Sequence, residues 1–350
     1  MNSIDNYIIV GGGLSGLCLA YQLSKIDINA TIIEGSSRLG GRILTTKGKR
    51  DTPLELGATW FSDMHSNVLQ LIDELGLSKY PQYSKGISLF ETNSFEPPQK
   101  FNIPESQDPS WRIKGGTQTL TDELAGKLSD NKIHLNSKII SIKASNSYLE
   151  LESANGKVYK GKKVILCIPP ELISRIKFTP ELPFEVNDIL PKVQTWMAGA
   201  VKFVLEYDEP FWRDNGYSGM LFSHVGIVSE MHDHTNLEET KYGFTGFLNG
   251  GSARYSKEIR RNYVLQHLSK LLGDKANYST FYDDKIWTDE FIVHDSNSML
   301  RAHQNNGHPL LQKTYMNERL FFCNTETATE FSGYMEGAIR SSISLFEKLK

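Results

Sequence analysis

Tyr7-Ile8-Ile9-Val10-Gly11-Gly12-Gly13-Leu14-Ser15-Gly16 is the stretch whose reading decides the fold. The run before the first glycine is apolar and mostly β-branched, as expected for a parallel strand buried on both faces. Gly11-x-Gly13-x-x-Gly16 follows at once. Leu17–Lys25 then reads as a helix, with apolar residues at Leu17, Ala20, Tyr21 and Leu23. A second β-branched strand, Ala30–Ile33, ends at Glu34. These pieces form a βαβ unit with an acid at the tip of its second strand. Its glycines allow a tight turn and close approach to a pyrophosphate, whose charge the helix N-terminus favours. Gly11, Gly13, Leu14, Ser15 and Gly16 are therefore candidate phosphate contacts, and Glu34 a candidate acceptor for adenosine ribose hydroxyls.

The same stretch invites a second reading. From Asn6 to Ser24 there is no charged residue, which is about the length of a membrane span. Asp5 stands where a signal peptide would want a cation, and the glycines cluster at one point, so a turn between two elements is the better reading. No other stretch is long and apolar enough to span a bilayer, and 339–349 reads as an amphipathic helix. The expectation is a soluble, cytoplasmic protein without a membrane anchor. Its 350 residues suggest two domains, or one large fold with an insertion. A net charge of −3 without basic runs argues against nucleic acid as a partner. Cys18, Cys167 and Cys323 lie far apart in apolar stretches and read as buried free thiols.

After Glu34 the chain runs Gly-Ser-Ser-Arg38-Leu-Gly40-Gly41-Arg42, which offers amides and a cation to a second part of an extended ligand. Here the sequence resembles the flavin-containing amine oxidase family, which includes monoamine and polyamine oxidases. The resemblance continues in Leu54-Glu-Leu-Gly57-Ala58-Thr59-Trp60, in Trp111-Arg-Ile-Lys-Gly115-Gly116 and in the strand 163–168 stopped by Pro169-Pro170. It is most specific in Thr325-Glu326-Thr-Ala-Thr and Ser332-Gly333-Tyr334-Met335-Glu336-Gly337-Ala338.

The resemblance implies an α/β fold: an FAD-binding Rossmann-like domain of the GR2 type, with a second, reduced substrate domain of mixed sheet. The first would take 1–79, 111–192 and 291–350, the second 80–110 and 193–290. It implies that Arg42, Gly57, Ala58 and Thr59 lie along the cofactor, that Ile139 stands where backbone groups bind adenine, and that Glu326 binds ribityl hydroxyls. A helix starting near Gly333 would aim its amides, Met335 among them, at the flavin edge where negative charge accumulates on reduction. Trp287 would lie near the flavin. Lys202 would hold a water against it and promote its reaction with oxygen. Tyr334 would form one wall of an aromatic cage for the amine. Read without the resemblance, Lys202 alternates with apolar neighbours along 198–207 and is either snorkelling or buried with a role.

Other segments carry weaker signals. Residues 132–144, 147–153 and 157–159 read as a meander with a hairpin turn at Asn155-Gly156. Helices are expected around 68–75 and 118–128, and 94–110, with four prolines, reads as an irregular loop. His232-x-His234 reads as part of a solvated, charged loop. The histidines form no metal pattern and no nucleophile–base constellation stands out, so the chemistry belongs to a cofactor.

Four departures from the family pattern bear on function. Only a short loop precedes Trp111 where relatives carry a helical substrate domain, which implies an open active site or one covered by a partner chain, as in a homodimer. No cysteine lies between Trp287 and Ser298, so FAD is expected to be noncovalent, and the second cage wall is missing from that region. Cys323-Asn324 replaces the usual Ala-Gly. The first reading is an FAD-dependent oxidase that takes hydride from a small amine and passes electrons to O2, giving imine and H2O2. The alternatives are a C–C desaturase or isomerase on an apolar substrate, and a catalytically silent flavoprotein with a binding role.

Overall fold

The computed structural model describes residues 4–104, 108–128, 133–289, 291–292 and 300–350. Two sheets organise them. In the first, strand β1 (Asp5–Val10) is parallel to β2 (Ala30–Ile33) on one side and to Val158–Leu166 on the other. Helix α1 (Leu14–Ser24) makes the crossover. A parallel strand needs cover on both faces, and alternation in β1 supplies it. Ile9 enters a core shared with α1 and the C-terminal helix Met335–Leu349, while Ile8 and Val10 enter a second core on the opposite face. Burying each of these side chains is worth about 1.5–3 kcal/mol. The uncharged run from Asn6 to Ser24 is thus the central strand, the turn and the helix. Among the described residues, no helix is long and apolar enough to cross a membrane.

The sheet continues antiparallel through Leu149–Ser153 and Ile139–Ala144, and ends on the far side of β2 at Ile133–His134. Leu320–Phe322 joins parallel to Val158–Leu166. The expected break between 159 and 163 is absent, and the strand is continuous. The lysines at 160, 162 and 163 are not buried, whereas the buried Gly161 lies against Ile8, where a Cβ would meet Ile8 Cδ1 at 2.9 Å. The three cysteines, distant in sequence, fall in the same core. All are free and buried, and burial raises the Cys18 and Cys167 thiols above their usual range.

The second sheet runs in the order Phe281–Ile286, Val201–Tyr207, Tyr242–Leu248, Val228–Asp233, Tyr217–Ser223, Ile87–Glu91, Gln99–Asn102. The last strand falls inside the stretch read as a loop. It is an edge strand exposed along its whole length, so it carries no apolar alternation to read. Phe203 and Leu205 pack beneath the helix Lys257–Leu272, against Val264 and Leu268. The opposite face meets the first domain, with Val204 against Leu54 and Leu56.

His232 and His234 are not in a solvated loop. His232 lies on Val228–Asp233, His234 hydrogen-bonds through its backbone to Gly243 O at 2.7 Å, and both side chains are buried. The charged turn comes later, at Asn236–Lys241, where Asn236 N donates to Lys241 O. Asp233 anchors this corner: its carboxylate accepts from Trp212 Nε1, Arg213 and Thr235 N.

Candidate active site

A cavity of about 400 Å³ opens at the glycine turn and reaches the start of the C-terminal helix. This is within the range of small-molecule and cofactor sites. Gly13 is the N-cap of α1 and gives it no side-chain cap. The first-turn amides of Leu14, Ser15 and Gly16 therefore lack intrahelical partners, and Leu14 and Ser15 line the cavity. Gly11, at φ 110°, also lines it, and a Cβ there would meet Cys167 O at 2.7 Å. Gly16 does not line the cavity. It lets the helix close on the turn, since a Cβ would come within 2.1 Å of Gly11 O. Glu34 lines the wall with one oxygen accepting from Gly12 N at 2.6 Å and the other from Ser36 N at 2.8 Å. A carboxylate has about four acceptor sites, so it keeps capacity for two hydroxyls. Ile139 lines the same end.

The loop after β2 is braced by a residue to which the sequence reading gave no separate role. The Arg38 guanidinium donates to the carbonyls of Leu39, Gly41 and Ile43, holding Gly40 and Gly41 at positive φ. Arg42 lines the cavity and forms a bidentate pair with Glu326, at 2.7 and 3.1 Å. Glu326 is fully buried in the turn Thr325–Thr327 and does not line the cavity, so its charge reaches the wall through Arg42. Five cationic side chains (Arg38, Arg42, Lys138, Arg175 and Lys285) line the cavity against two acids, Glu34 and Asp289, which suits a diphosphate.

The helix Met335–Leu349 points its N-terminus at the far end of the cavity, with Tyr334 as N-cap and no side-chain cap. It begins two residues after the expected Gly333. Thr325 fixes this approach, accepting from Gly333 N at 2.8 Å and donating to Tyr334 O at 2.9 Å. Such an end stabilises negative charge. Asn324, the departure from Ala-Gly, lines the cavity in extended conformation and donates from Nδ2 to Ile168 O at 2.9 Å. Its Oδ1 is buried and has no partner among the described residues. A glycine cradle, two uncapped helix starts and this orphaned oxygen fit an extended dinucleotide carrying a polar ring.

Beside the cavity, three consecutive carbonyls accept from side chains of the second domain. Thr245 Oγ1 donates to Glu55 O at 2.8 Å, Trp287 Nε1 to Leu56 O at 2.7 Å and Lys202 Nζ to Gly57 O at 2.7 Å. Lys202 also donates to Thr59 Oγ1. Gly57 leaves no room for a side chain, because a Cβ would meet Arg42 O and Leu44 N at 2.4 Å. Ala58, between the two Lys202 partners, lines the cavity, as does Trp287. Lys202 is buried, with Nζ 5.0 Å from the Trp60 ring centroid and 5.5 Å from that of Phe247. Burial lowers its ammonium to about 7, against the pull of the Glu55 carboxylate. Burial also raises the Glu55 carboxyl, which accepts from Thr117 N at 2.5 Å and Thr45 Oγ1 at 3.0 Å. His234 is held well below its ordinary value by burial and by Arg112 and Lys202, and neither ring nitrogen has a partner among the described residues.

Tyr334 is half-exposed, stacked on His303 at 5.9 Å between centroids, and His303 stacks on Trp196 at 4.4 Å. Gly333 makes this approach feasible, since a Cβ there would meet Trp196 Cβ at 2.5 Å. The region 294–298, where the sequence lacks the second aromatic wall, lies outside the described residues. The rings near Tyr334 are His303, His65 at 6.0 Å and Trp196 at 6.2 Å between centroids, from segments distant in sequence.

Comparison with known proteins agrees with this geometry. The family described as flavin containing amine oxidoreductase matches residues 14–102 and 87–344. The chain is similar to a probable flavin-containing monoamine oxidase A of Dictyostelium discoideum, at 24% identity over 458 aligned positions, covering 100% of this chain and 98% of that protein. The alignment is longer than the chain, so over a hundred positions of the relative have no counterpart here. Among solved structures, putrescine oxidase bound to putrescine superposes with a TM-score of 0.86 at 20% identity, covering 100% of this chain and 99% of that one. Cyclohexylamine oxidase from Brevibacterium oxydans superposes at 0.81 with 17% identity, covering 99% and 100%.

Proposed function

The chain belongs to the flavin containing amine oxidoreductase family, and from that membership we propose that it oxidises an amine with FAD as noncovalent cofactor and O2 as electron acceptor. The observation that carries this reading is Lys202, a buried cation bonded on either side of Ala58, one residue behind the cavity wall.

Bound in the cavity, FAD would supply the redox chemistry, the two-electron oxidation of the amine to an imine coupled to reduction of O2 to H2O2. The α1 N-terminus, Arg42 and the Arg38-braced loop would hold its diphosphate, and Glu34 its adenosine ribose. The N-terminus of Met335–Leu349 would face the ring edge that becomes negative. The chain positions groups, excludes water and holds charge, without supplying a nucleophile. Lys202 presents its ammonium where negative charge develops during the oxygen reaction. Tyr334 offers a ring face to the substrate amine. A cytoplasmic location belongs to the same proposal and is supported by the three free thiols.

The test is an anaerobic panel of primary amines added to the yellow holoprotein. Loss of the oxidised flavin spectrum with at least one amine, and its prompt return in air, is the expected result. Reduced flavin that persists for minutes in air would overturn the oxidase assignment.

A further inference from the structure

Asn324 directly precedes the turn Thr325–Thr327, a position from which an asparagine side chain ordinarily accepts from the first amides of the turn. That cap is not made here. The amide group is turned away from the turn instead, and its Nδ2 donates to Ile168 O at 2.9 Å. Only the nitrogen end of the amide can face a carbonyl, so the bond to Ile168 fixes the oxygen as the end left over. Oδ1 is buried and has no partner among the described residues. The backbone beneath it is held in place, with Asn324 O accepting from Thr327 N at 2.9 Å and from Thr327 Oγ1 at 2.7 Å. A buried acceptor without a donor is destabilising. Asn324 lines the cavity, so a donor carried by the occupant would satisfy it.

The place of Asn324 along the cavity selects that donor. On one side its anchor, Ile168, lies at the glycine turn, where a Cβ on Gly11 would meet Ile168 Cγ2 at 2.9 Å. On the other side the next residue, Thr325, holds Gly333 and Tyr334 at the approach to the helix Met335–Leu349. Asn324 thus stands between the turn suited to a diphosphate and the helix end suited to the flavin ring. In FAD the ribityl chain joins those two parts and carries hydroxyl donors, whereas an ionised diphosphate only accepts. The donors of the adenosine belong at the far end, beside Glu34 and Ile139. Glu326, to which the resemblance assigns the ribityl hydroxyls, has both oxygens on Arg42 and does not line the cavity.

We propose that Asn324 is a cofactor-specificity residue whose Oδ1 accepts a hydrogen bond from a ribityl hydroxyl of FAD. This rests on the FAD reading and names the part of the cofactor that this side chain recognises. The family pattern has glycine at this position, which offers no side-chain acceptor, so the contact is a property of this chain.

The experiment titrates apoprotein with FAD and with FAD analogues that each lack one ribityl hydroxyl, reading Kd from flavin fluorescence. Removing the partner hydroxyl leaves Oδ1 buried and unsatisfied, so one analogue is expected to bind about five- to a hundredfold more weakly than FAD. Asn324→Gly installs the usual family residue, and Asn324→Leu keeps the side-chain size without the acceptor. Both should bring that ratio close to one. Each ratio compares two ligands on the same protein, so a general loss of stability in a variant cancels. Ratios near one for every analogue on the wild type, or ratios unchanged in both variants, overturn the proposal while leaving FAD as the cofactor. Failure of the wild-type apoprotein to take up FAD overturns the proposal and the FAD reading together. An Asn324-dependent ratio in a protein whose flavin no amine bleaches would sustain the role of Asn324 and sink the amine-oxidation reading instead.

Discussion

Replacing Lys202 by methionine removes the ammonium while keeping most of the stem packed against Trp60 and Phe247. Gly57 O and Thr59 Oγ1 lose their donor, and Glu55 loses its nearby cation. With its pKa lowered to about 7 by burial, Lys202 is charged below that pH and neutral above it. Simple titration makes it about nine-tenths charged at pH 6 and about one-tenth at pH 8. If the charge promotes electron transfer to oxygen, reoxidation of reduced wild-type enzyme should fall about tenfold across those two pH units. Loss of one preorganised charge-stabilising donor typically costs about 10²–10³ in rate. The Met variant should therefore reoxidise that much more slowly and without the pH limb, while its anaerobic reduction by substrate changes far less. Stopped-flow absorbance separates the two half-reactions. Equal slowing of both, or a flat wild-type profile between pH 6 and 8, would refute the reasoning.

The other predictions concern cofactor and scaffold. Gly16→Ala forces a Cβ to within 2.1 Å of Gly11 O; the turn must open, and the Kd for FAD, read by titrating apoprotein with FAD, should rise at least tenfold, about 1.4 kcal/mol. Glu326→Gln leaves Arg42 without its fully buried counterion and should cost about 2–3 kcal/mol in thermal or urea melts, below the 3–5 of a wholly buried pair because Arg42 is partly exposed. Acid precipitation should release all the flavin into the supernatant, since no cysteine lies between Trp287 and Ser298; flavin retained in the pellet would contradict noncovalent binding.

What was legible in the sequence was what depends on short spacing. The βαβ unit shows because its strand, glycines, helix and acid fall within thirty residues, and each has a local physical reason. Lys202 stood out because a single charge in an apolar strand is conspicuous. The edge strand Gln99–Asn102 was hidden because exposure on both faces leaves no alternation. His232 and His234 were misread because charge follows them at 238–241, although the strand pairing that buries them is set by residues 242–248. Trp196 and His303 show no signal in the sequence because their contact with Tyr334 arises only when distant segments meet.

The three carbonyls of Glu55, Leu56 and Gly57 have a consequence for motion. Each is held by a side chain from a different part of the second domain, so the domains cannot swing apart at this seam without losing all three hydrogen bonds at once. At about 1 kcal/mol each, that places a hinged-open state near one molecule in a hundred or fewer. Substrate exchange then relies on a mouth that stays in place, and turnover is paced by diffusion through it and by chemistry, with no cycle of domain opening and closing.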